Sequence, residues 1–140
     1  MQATIQWRQG VLFEGQSGDH QVLMEGPESY GGQNRGFRPM QLLLTGLGGC
    51  TSFDVITTLE KMRQEISDCQ VTLDAERSGE VPAVFTKIHI HFTVTGRSLK
   101  ENMVKRAVEL SAEKYCSASI MLTRAGVDIT HSYSIIDQDA

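Results

Sequence analysis

The chain has 140 residues and a mass of 15.5 kDa, enough for one domain that buries roughly 68–70% of the surface its unfolded chain would expose. With 40% hydrophobic and 21% charged residues the composition is that of a globular protein. A net charge of −4 without any basic block excludes a general nucleic-acid binder, because neutralising phosphates requires clustered Lys and Arg.

The segment Met1 to Arg8 lacks a basic region followed by an apolar one, so no secretory signal is read and a cytoplasmic protein is expected. Ile5 and Trp7 alternate with Thr4, Gln6 and Arg8. With Val11 to Phe13 and Gln21 to Glu25 they predict an antiparallel meander broken at Gly10 and at Gly15 to Asp19. Turn-forming residues, Pro27, Gly31, Gly32, Asn34 and Gly36, fill the loop from Gly26 to Phe37, and its length predicts a functional or mobile segment.

Pro39 stands where a helix can begin, and Leu42, Leu43, Leu44, Leu47, Phe53, Val55, Ile56, Leu59 and Met62 continue it with apolar residues on most sides. Such a helix is expected to be enclosed by sheet, by other helices or by a second subunit. Gln41, Thr45, Thr51, Ser52, Asp54 and Thr57 interrupt the run, which argues against a membrane-spanning helix. Gly46, Gly48 and Gly49 predict close packing or a break just before Cys50. Cys50 is therefore expected within or at the start of a helical segment, where unpaired N–H groups and the positive end of the helix dipole stabilise a thiolate.

Cys69 to Glu76 and Lys87 to Thr95 alternate as two half-buried strands. Ser98 and Glu101 form a capping-box pattern for a second helix, whose apolar stripe is Leu99, Met103, Ala107 and Leu110 and which is expected to run into Cys116. A short apolar turn at Ile120 to Leu122 precedes a last strand from Val127 to Ile135.

The chemistry lies in the thiols. The 3 cysteines, Cys50, Cys69 and Cys116, cannot all pair within one chain, and in a reducing compartment a pair is more often transient and catalytic than structural. Cys69 begins an alternating strand and reads as core packing. If Cys50 and Cys116 meet, a thiolate at Cys50 can attack a peroxide and Cys116 can close a disulfide on the resulting sulfenic acid. Equally, Cys50 taken alone reads as a small buried hydrophobe. His89 and His91 share one strand face but no third ligand matches them, and His20 and His131 are isolated, so no metal and no organic cofactor are assigned.

The segment Arg38-Pro39-Met40-Gln41-Leu42, continuing to Leu47-Gly48-Gly49-Cys50-Thr51-Ser52, resembles the first-cysteine helix of OsmC-like and organic hydroperoxide resistance proteins, and Tyr115-Cys116-Ser117-Ala118-Ser119 resembles their second-cysteine motif. The order of elements agrees over nearly the whole chain, and the resemblance is nearest the YhfA-like subgroup. It implies an α+β fold over residues 1–140, with antiparallel sheets wrapped around long central apolar helices in an intertwined homodimer. It further implies reduction of organic hydroperoxides by Cys50, resolution by Cys116 and regeneration by an external thiol or dithiol. A non-catalytic protein that binds an apolar small molecule or fatty acyl chain in the same dimer pocket is the alternative.

Met40 stands where active members usually carry a glutamate, and the adjacent Gln41 can hydrogen-bond but is no carboxylate. Phe13 falls near the position of their catalytic arginine, which leaves Arg38, Arg8 and Arg35 as candidates, the first two assigned to the site. Ser117 replaces the usual proline after the second cysteine.

Overall fold

The computed structural model describes residues 1–139. They fall into two compact units, Met1–Thr45 and the chain from Gly46 onward.

In the first unit β1 (Thr4–Gln9), β2 (Leu12–Ser17) and β3 (His20–Glu25) form an antiparallel sheet in sequence order. Gly10 and Gly18 turn the two hairpins in the left-handed region that glycine enters at no steric cost. The loop that follows is tied down. Gly32 and Gly36 lie so close to neighbouring backbone that an added Cβ would collide with it, and Phe37 exchanges backbone hydrogen bonds with Leu23 and Glu25. Beneath the loop, the Glu25 carboxylate is wholly buried and holds Arg35 in a bidentate pair, with Nη2–Oε2 at 2.6 Å. The Arg35 backbone N–H also donates to Oε1 at 2.8 Å. These hydrogen bonds, together with the neighbouring guanidinium, hold the Glu25 carboxyl down at about 2 although burial opposes them.

Helix α1 (Pro39–Lys61) is continuous through its glycines. Pro39 at its first position needs no N–H partner, and the Gln41 amide oxygen reaches back to accept from the Arg38 backbone N–H at 3.0 Å, half of a capping box. The expected break before Cys50 is absent. Gly48 serves close packing instead, since a Cβ there would lie 2.8 Å from Leu73 Cδ1, whereas Gly46 and Gly49 face open space. Cys50 is therefore mid-helix and not at a helix start. The polar interruptions do not exclude a span on composition: by length and a mean hydropathy of 1.4 alone the helix is sufficient to cross a membrane.

In the second unit β4 (Glu65–Arg77) pairs antiparallel with β5 (Phe85–Arg97), and β5 pairs with β6 (Asp128–Asp137). This last pairing is parallel, a departure from purely antiparallel sheets. The cause is the connection: after β5 the chain returns through α2 (Glu101–Leu110) and α3 (Ser117–Arg124), a crossover of the length that parallel neighbours require. The core is made by Ile88, Ile90, Phe92 and Val94 of β5 with Val55, Leu59, Val104 and Ala107 from the helices, all 0 or 1% exposed.

The expected capping box at Ser98 does not form. Ser98 has φ +51° and the helix begins at Glu101, after an N-cap at Lys100 whose N–H is taken by Gln64 Oε1 at 2.9 Å. Nor does α2 run on to Cys116. Beyond Leu110 the helix widens into one π-type turn, Ser111–Tyr115, closed by a bond from the Cys116 N–H to the Ser111 carbonyl at 2.9 Å. Cys116 then takes extended dihedrals and starts α3, which occupies the segment read as a short apolar turn.

Candidate functional site: a two-cysteine cluster

Cys50, Asp54 and Cys116 bring two Sγ atoms and a carboxylate oxygen within 4.8 Å of one another. Cys50 and Asp54 are four apart on α1 and so share a face one turn apart. The π-type turn supplies the third member. Such turns are frequent at functional sites, and this one ends at Cys116, which caps the next helix. Its Sγ accepts a hydrogen bond from the Ser119 N–H at 3.4 Å.

A hydroxyl relay runs behind the sulfurs. Thr51 Oγ1 and Ser111 Oγ, both fully buried, are 2.8 Å apart, and Ser111 Oγ donates to Asp54 Oδ2 at 3.2 Å. Partial burial raises the Asp54 carboxyl above its ordinary value, and the Ser111 hydroxyl partly offsets this.

The two sulfurs differ in access. Cys50 is partly exposed while Cys116 is fully buried, and both are free thiols. Burial pushes the Cys116 thiol up to about 12. The Ser119 N–H works against that shift, whereas donation to Cys50 and the negative charges at Cys50 and Asp54 add to it. Cys116 is thus a proton donor at neutral pH, and the outer sulfur is the one solvent can reach.

The other candidates have their own surroundings. Arg8 is paired with Glu14 at 3.2 Å on the exposed first sheet, and Arg35 is held by Glu25. Arg38 keeps a buried Nη1 with no hydrogen-bond partner among the described residues. Gln41 is occupied at the helix start. Cys69 is half-buried on β4 opposite Val94, and burial, with help from Asp68, raises its thiol. Both ring nitrogens of His89 and of His91 bond hydroxyls of Thr130, Ser132 and Ser134 on β6, at 2.6 to 3.0 Å. His131 stacks on Phe92.

Sequence reading missed Asp54 and Ser111 as neighbours of the sulfurs. The i, i+4 spacing of Cys50 and Asp54 was available as a signal, but nothing local marks Ser111.

A thiol pair between a long helix and a β-sheet with a helical crossover defines a class, and comparison identifies it. The family model described as OsmC-like protein matches residues 32–132, and the chain belongs to that family. It is 47% identical to Protein YhfA of Escherichia coli K12 over 137 residues, covering 97% of this chain and 98% of that one. The OsmC-like protein of Mycoplasma pneumoniae shares the fold at a TM-score of 0.83 and 16% identity, covering 96% of each chain. An organic hydroperoxide resistance protein OsmC from Legionella pneumophila does so at 0.71 and 21%, covering 94% of each. The fold is therefore the α+β OsmC-like one, and α1 is a helix of that packed fold.

Proposed function

We propose that this chain is a thiol-dependent, peroxidase-like protein that reduces organic hydroperoxides in oxidative-stress defence, through Cys50 and Cys116. The observation that carries the reading is one accessible and one buried sulfur within 4.8 Å. The Cys50 thiolate attacks a peroxide oxygen, the O–O bond breaks, and the departing alkoxide takes a proton and leaves as the alcohol. Cys50 is now a sulfenic acid. Cys116 attacks that sulfur, its thiol proton and the sulfenic hydroxyl leave as water, and a disulfide forms. An external thiol or dithiol returns the pair to two thiols and is itself oxidised to a disulfide. Bonding at about 2.05 Å requires the sulfurs to approach further, and Cys116 lies at the junction of two helical segments.

A groove of about 500 Å³, lined by Phe53, Asp54, Thr57, Lys61, Leu110 and Tyr115, adjoins the cluster through Asp54. It suits the organic part of a hydroperoxide. It also supports the second reading, binding of an apolar small molecule or fatty acyl chain without turnover. Of the two arginines assigned to the site, Arg8 already has a carboxylate, whereas Arg38 keeps a buried nitrogen without a partner among the described residues; twelve residues before Cys50, it stands about 18 Å from it along α1 and would steady a thiolate only across the dimer. The working form is a cytoplasmic homodimer. Leu43 and Phe53 are 57% and 68% exposed on a helix that is apolar on most sides, and a second copy is the cover this reading provides.

The test is consumption of a dithiol in the presence of cumene hydroperoxide. Cys50→Ser is expected to abolish it, and Cys116→Ser to complete one reduction and stop at a sulfenic acid that a dimedone probe traps. Wild-type protein that consumes no dithiol with cumene or fatty-acid hydroperoxides overturns the peroxidase reading, and a lipid seen on it by native mass spectrometry supports the binding reading.

A further inference from the structure

Two thiols and a carboxylate gathered in one place form a donor set as well as a redox pair. We propose that Cys50, Asp54 and Cys116 form a binding site for a thiophilic divalent cation, Zn²⁺ in the first instance, and that metal and peroxide compete for the same sulfurs.

The geometry fits without rebuilding the fold. Tetrahedral zinc with Zn–S near 2.3 Å sets its sulfur ligands roughly 3.8 Å apart. The three donor atoms already lie within 4.8 Å of one another, so side-chain rotations suffice. Two of the three donors are also held by a further hydrogen bond, as metal ligands commonly are. Ser111 Oγ fixes the Asp54 carboxylate at 3.2 Å, and the Ser119 N–H fixes the Cys116 sulfur at 3.4 Å. Two ligands come from consecutive turns of one helix, and the third from the start of another, so a bound ion would clasp α1 to α3. The partial exposure of Cys50 provides an entry path.

Ligand chemistry decides the ion. Two thiolates favour Zn²⁺ or Cd²⁺ over Mg²⁺ and Ca²⁺, which prefer all-oxygen cages. Binding involves no electron transfer: each thiol that is still protonated loses a proton to solvent and its sulfur forms a bond to the metal. Water completes the four-coordinate shell. Once both sulfur lone pairs are engaged, neither attacks a peroxide nor forms a disulfide, so the cation shields the pair from oxidation and silences it. The site does not depend on peroxide turnover, because a chain without that activity keeps the same three donors.

Reduced, chelator-treated protein would be titrated with Co²⁺ under argon. The expected result is one ion per chain, with a sulfur-to-cobalt charge-transfer band, the intense visible bands of tetrahedral cobalt, and loss of both on adding Zn²⁺ but not Mg²⁺. Asp54→Asn is expected to weaken binding by at least the roughly 10- to 100-fold that loss of an outer-shell partner costs, and Cys50→Ser and Cys116→Ser each to remove the charge-transfer signature of a two-sulfur site. Circular dichroism checks that the variants fold. Independently of any variant, stoichiometric Zn²⁺ should slow iodoacetamide labelling of Cys50 in the wild type, and the disulfide form should bind neither ion. Absence of the charge-transfer band, an unchanged spectrum in either cysteine variant, or unaltered affinity in Asp54→Asn overturns the three-donor site. Turnover without metal binding would leave the peroxidase reading standing and remove this one; binding without turnover would do the reverse.

Discussion

The two compact units each bury a polar cluster, and they neutralise it in opposite ways. In the N-terminal unit the wholly buried Glu25 is met by the Arg35 side chain and backbone, and with its charge matched it pins the loop that follows β3. In the C-terminal unit the buried groups are hydroxyls and thiols, Thr51, Ser111 and Cys116, which need no counter-ion and surround a single carboxyl group, Asp54. A permanent charge under a fold must be answered by a permanent partner, and that partnership immobilises it. Neutral groups that ionise only on demand can be buried more cheaply and remain chemically available.

Four measurements sharpen or break this contrast. The largest effect is expected from Glu25→Gln, which leaves the Arg35 cation without its counter-charge. The melting temperature should fall on the order of 10 °C while the alkylation rate of Cys50 stays the same. Equal loss of thiol reactivity would show that the pair serves the sulfur chemistry too.

Ser111→Ala comes next, with an expected cost of about 1–3 kcal/mol from the unsatisfied Thr51 hydroxyl, read by urea unfolding. The double variant Thr51→Val, Ser111→Ala should cost less than the sum of the single changes, because no lone hydroxyl remains. Strict additivity would argue that the two do not share a hydrogen bond.

Acid titration separates the units further. The Glu25 carboxyl is lowered from 4.5 to about 2 in the folded chain. The folded state therefore binds fewer protons in that interval, so this stabilisation is complete above about pH 4.5 and is lost as pH falls through about 2. Glu25→Gln should flatten the acid limb of stability against pH between those values, and an unchanged limb would contradict the assignment. The smallest effect belongs to Arg8→Ala, which removes an exposed ion pair with Glu14 and should shift stability by no more than about 0.5 kcal/mol.

What was legible in the sequence was what local periodicity encodes. Alternation at Ile88 to Val94 marked the buried face of β5, and Pro39 marked the start of α1 at the right residue. Signals that depended on a partner failed. Ser98 and Glu101 have capping-box spacing, yet Gln64 from before β4 takes the Lys100 N–H and Ser98 adopts a left-handed conformation. Cys50, expected within or at the start of a helix, lies within one, and the sulfur that meets a helix N-terminus is that of Cys116.

By itself the sequence determined the element types, the apolar helix, the family and the two cysteines worth following, because these rest on spacing along the chain. Only the tertiary structure decided that the sulfurs meet, that Asp54 joins them, that β6 runs parallel to β5, and that a widened turn at Ser111 separates α2 from Cys116. The reason is physical. Contacts across 66 residues, as from Cys50 to Cys116 (116 − 50), are fixed by how a helix and a crossover pack on a sheet, and no local pattern of side chains carries that information.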